Sequence, residues 1–95
     1  MESESNKDIE KLRAEIDEID MALMQLMAKR RDIAVEIAKV KQSVGSVNDE
    51  DRLREVLDNV RKKAGELGLD EEEMKELWKR MVAYMIKEQM KKYPY

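Results

Sequence analysis

Residues 12–41 read LRAEIDEIDMALMQLMAKRRDIAVEIAKVK, and the spacing of their apolar positions decides the fold. At ~100° per residue on a helix, Leu12, Ile19, Leu23, Leu26, Ala34 and Ile37 all fall within about 40° of Arg30, and Lys41 lies about 20° from it. Two fixed cations therefore sit on the centre of an apolar stripe. Burying an unpaired charge is costly, so such side chains need an anionic partner inside the protein. That partner is either one of the chain's own acids or a ligand.

Outward from this stretch, no Gly or Pro occurs between Asp8 and Val44, and the helical period persists throughout. The reading is a tail over residues 1–7, with Ser5 and Asp8 as a weak capping pair, then one helix from about Asp8 to about Val44. Some ~36 residues at ~1.5 Å each span about 54 Å, whereas a compact chain of this size is only about 32 Å across. A single globule cannot cover such a helix. Ser43-Val44-Gly45-Ser46-Val47 breaks it, and Asn48 with Asp51 is expected to cap a second helix running to about Leu67. Its apolar face is Leu53, Val56, Leu57, Val60 and Ala64, and Gly65 and Gly68 loosen its end. Asp70 and Glu73 form a capping box for a third helix, about Glu71 to Lys92, which Pro94 stops. Met74, Trp78, Val82 and Met85 form its stripe, with the Gln89 amide about 20° from Trp78. The expected fold is all-α: three helices, very long, short and long, in an intertwined homodimeric bundle whose helical domain covers residues 8–93.

Composition bounds the function. Charged residues make up 43% of the 95 and aromatics 4%, which suits solvated helices; the 42% hydrophobic fraction with its strict period argues against disorder. Lys and Arg are interleaved with Asp and Glu at a net charge of −3, which excludes a nucleic-acid footprint. No segment is apolar enough to span or be exported, so a cytoplasmic location and no membrane partner are expected. The absence of Cys and His removes thiolate metal sites, cysteine nucleophiles and the commonest general base. Glu71, Glu72 and Glu73 spread around a first helical turn rather than converging, and there is no Gly-rich phosphate loop; no metal and no cofactor are expected.

The inward polar set is Arg30, Lys41 and Gln89. Each has a structural alternative, since Asp49 and Glu36 are available as partners and long cations can snorkel along apolar surface. Arg13 lies about 100° off the stripe, on a flank that would face a second chain or else pair with Asp17 on the surface. Arg52 borders the apolar face of the second helix beside Asp49 and Glu55. Because basic groups outnumber acids here, the pocket suits a small dicarboxylate held by bidentate arginine contacts. The eight Met residues read as packing filler, and Trp78 and Tyr84 as core or interface.

Leu12–Asp20, Leu26–Ala34 and Ile37–Lys41, followed by Asn48-Asp49-Glu50-Asp51-Arg52, the Leu67-Gly68-Leu69-Asp70 turn and Glu88-Gln89, resemble the all-helical (AroQ-type) chorismate mutase family. The resemblance implies a cofactor-free homodimer with two equivalent sites that converts chorismate to prephenate by a Claisen rearrangement, in aromatic amino-acid biosynthesis. It implies that Arg13 enters from the partner chain, that Arg30 and Arg52 hold the substrate carboxylates, that Lys41 and Gln89 hydrogen-bond the ether oxygen, and that Asp49 lines the pocket. Leu53 stands where the family often has a Glu for the substrate hydroxyl, and Met85 where a Ser is frequent. Leu53 leaves open an isochorismate-pyruvate lyase, which shares fold and pocket. A non-catalytic helical interaction protein is the alternative from another class.

Overall fold

The computed structural model describes residues 4–44 and 49–94. It contains α1 (Glu4–Val44), α2 (Glu50–Glu66) and α3 (Glu71–Lys92), with no strand among the described residues. None of these helices is long and apolar enough to cross a membrane. The all-α, long–short–long order is the one the periodicity predicts.

Helix starts follow from local chemistry. α1 begins at Glu4, so residues 4–7 of the expected tail are helical and Ser5 lies inside the helix instead of capping it. Nothing from Glu4 to Asp8 breaks a helix, and Glu4 in the first turn complements the helix dipole. Met1–Ser3, the Gly45–Val47 part of the expected break and Asn48 lie outside the described residues. The cap of α2 is Asp49, one residue after the expected Asn48: its carboxylate accepts the Arg52 N–H at 2.9 Å. An anionic acceptor at that end satisfies an orphan donor and also meets the dipole. At α3 the expected cap holds, with Asp70 Oδ1 accepting the Glu73 N–H at 2.9 Å.

α2 ends in a tight reversal. The Leu69 N–H donates to the Ala64 carbonyl at 2.8 Å and the Gly68 N–H to the Gly65 carbonyl at 3.2 Å, the paired bonds of a Schellman cap. Gly68 has φ +74°, a left-handed conformation that a side chain disfavours. This cap sets the turn that returns α3 against α2.

The chain forms two compact units, residues 1–32 and 33–95. In the first, a single helical run displays Ile9, Leu12, Ile16, Ile19, Leu23 and Leu26, each 45–60% exposed. The second holds the last turns of α1 together with α2 and α3, and in it α2 packs on α3. Ala38, Ala64 and Met85 are its buried hydrophobic residues. Leu53, Val56, Leu57 and Val60 are half-buried along the predicted face of α2. An ion pair from Arg61 Nη2 to Glu72 Oε1, 2.8 Å, ties α2 to α3.

Candidate active site

The periodicity that builds α1 places Lys41 in its last turn, where the side chain is half-buried. Among the described residues Lys41 makes no salt bridge or side-chain hydrogen bond, and neither does Arg30, which is half-buried on the first unit. The structural alternative named Asp49 and Glu36 as partners. Asp49 instead spends an oxygen on the α2 cap, and Glu36 pairs with neither cation. Two partly desolvated cations thus stand without an acidic partner among the described residues.

Arg13 is exposed on the first unit, and the surface pair with Asp17 does not form among the described residues. Arg52 is exposed, its Nη1 paired with Glu55 Oε1 one turn on. Its backbone N–H is held by Asp49, so the α2 cap brings these two predicted site residues together at 2.9 Å. Leu53 is half-buried, with its N–H on the Asp49 carbonyl at 3.1 Å. Met85 is 2% exposed and presents almost no surface to a ligand; it packs one turn before Gln89 on α3.

Gln89 is half-buried and points inward, as the stripe predicts. Its Nε2 donates to the Ala34 carbonyl oxygen at 2.7 Å, an interhelical bond between α3 and α1. Sequence reasoning missed this acceptor, because a main-chain carbonyl has no residue signature. The small pair Ala34 and Ala38, one turn apart, was the available hint. Beside it, Glu88 accepts from the Tyr84 hydroxyl at 2.7 Å and pairs with Lys91 at 3.2 Å.

The chemistry within reach is restricted. Donors without a paired base bind anions and stabilise developing negative charge; they do not supply a nucleophile. A sequence profile of the family described as chorismate mutase type II matches residues 12–90. A chorismate mutase of Methanocaldococcus jannaschii is 39% identical over 67 residues, which cover 66% of this chain and 68% of that protein. The match takes in the long helix, the α2 cap and Gln89, and on this extent the chain belongs to the type II chorismate mutase family.

Proposed function

We propose that the chain, as a chorismate mutase, converts chorismate to prephenate by holding the flexible dianion in its folded reactive shape and stabilising charge on the breaking ether. In this rearrangement the ether C–O bond breaks as a new C–C bond forms within one molecule. No proton, leaving group or electron is exchanged with the protein. Catalysis then reduces to orientation plus preorganised donors. Arg30 and Arg52 clamp the carboxylates, Arg13 enters from a second chain, and Lys41 and Gln89 donate to the ether oxygen. Asp49, Leu53 and Met85 shape the surroundings. The observation that carries this reading is that Arg30 and Lys41 are half-buried and have no acidic partner among the described residues.

The working unit in this reading is a homodimer with two equivalent sites in the cytoplasm. It is supported by the apolar stripe from Ile9 to Leu26, which stays about half exposed in a single chain. Burial at roughly 25 cal/mol per Å2 makes pairing of such stripes strongly favourable. An acidic chain without Cys suits a reducing compartment.

The test is to mix the purified protein with chorismate and follow ultraviolet loss of substrate and formation of prephenate. Turnover supports the assignment. Salicylate and pyruvate formed from isochorismate, with chorismate untouched, would instead identify the lyase that Leu53 leaves room for.

A further inference from the structure

An amide side chain is nearly symmetric in shape, and its two ends have opposite hydrogen-bonding character. If Gln89 faces an ether oxygen, Nε2 helps and Oε1 repels. Something must decide which end is presented. We infer that the Ala34 backbone carbonyl, left uncovered by the methyl-sized side chain of Ala38, is the orienting acceptor that fixes the Gln89 amide with Nε2 inward, which makes Ala38 a positioning residue.

The bond from Gln89 Nε2 to Ala34 O is 2.7 Å. A carbonyl oxygen is an acceptor only, so turning the amide over would set Oε1 against it at a repulsive separation. The carbonyl also serves its own helix, but its two lone pairs allow a second donor. Access is the restriction. In an α-helix each Cβ tilts toward the N-terminus, so the side chain four residues on lies over the preceding turn's carbonyl. For Ala34 that residue is Ala38, which is 1% exposed and covered by packing. A larger side chain there would occupy the space through which Gln89 reaches α1. With one Nε2 hydrogen committed to Ala34, the second is a preset donor that needs no reorientation during the reaction.

This inference rests on Gln89 being a donor to the ether oxygen, so the experiment separates the two. Ala38→Gly keeps the carbonyl open and should hold kcat within about twofold of the parent; Ala38→Leu blocks it and should lower kcat by on the order of tenfold or more with little change in KM. In the A38L background, adding Gln89→Ala should cost nothing further, because the amide is already displaced. Side chains acting independently would give additive losses, and additivity overturns the proposal. A measurement on the unmodified, ligand-free protein does not depend on any variant folding. Nuclear magnetic resonance should detect a through-hydrogen-bond scalar coupling between Gln89 15Nε2 and the Ala34 carbonyl carbon, retained in A38G. Its absence from the parent overturns the proposal, as does a folded A38L with parental kcat while Q89A is impaired. Parental kcat in Q89A, when the unmodified protein does show the coupling, instead removes the donor role itself.

Discussion

In the proposed mechanism Lys41 and Gln89 divide one task between a charged and a neutral donor. Removing a donor that acts mainly in the transition state should cost about 3 kcal/mol, so Lys41→Ala is expected to lower kcat by two orders of magnitude or more. Steady-state kinetics with chorismate checks this, and parental turnover would remove Lys41 from the site. Were the chain instead a non-catalytic helical interaction protein, Arg30→Ala and Lys41→Ala should leave stability equal or higher, and a bicyclic transition-state mimic should not raise the melting temperature. Gln89→Glu gives a pH test with a definite sign. A carboxylate only accepts, so the variant can donate only when protonated. Beside the Ala34 carbonyl its ionised form is disfavoured, which raises its folded-state pKa above the ordinary ~4.3. Activity and the associated stability should be full below the unfolded-state value and fall as pH rises through the raised folded one. The parent, with an amide at this position, should show no such descent, and a flat profile for Q89E would contradict the donor role.

At the scale of elements, most helix ends were readable because caps are local. Asp70 and Glu73 announce α3, Pro94 follows its end, and Gly68 marks the reversal after α2. Gly68→Ala should lower stability by about 1 kcal/mol in chemical denaturation, since the left-handed φ is strained for any side chain although the space around it is open. Asp70→Ala should cost about the same through its lost cap. An unchanged denaturation midpoint for either would show that the reversal contributes nothing to stability. The cap of α2 is Asp49 where the spacing predicts Asn48, because both residue types are competent caps. α1 starts earlier than the apolar period shows, because the polar residues before Ile9 carry no stripe while their propensity permits helix from Glu4. Trp78, expected at the core or an interface, is 36% exposed in the single chain, so period identifies a face but not its depth.

At the scale of the whole molecule, a single chain buries little: Ala38, Ala64 and Met85 are its buried hydrophobic residues among those described. Chains of this length are marginal even with ordinary cores. In the proposed dimer, folding and association are therefore linked, and the melting temperature should rise with protein concentration. Ile19→Asp, on the uncovered stripe of α1, should shift sedimentation from twice the chain mass to once and abolish turnover together. An active, monomeric I19D would overturn both the dimer and the entry of Arg13 from a second chain.

The helices, their order, the stripe carrying Arg30 and Lys41, and the inward turn of Gln89 are all settled by the sequence itself. Each depends on spacing within one helix or on a side chain bonding three or four residues away. The partner of Gln89, the freedom of Lys41 from Asp49 and Glu36, and the depth of Met85 were decided in three dimensions. These depend on how side chains from one helix meet another, and a main-chain carbonyl such as that of Ala34 is an acceptor at every position, so only the tertiary structure shows that Gln89 reaches this one.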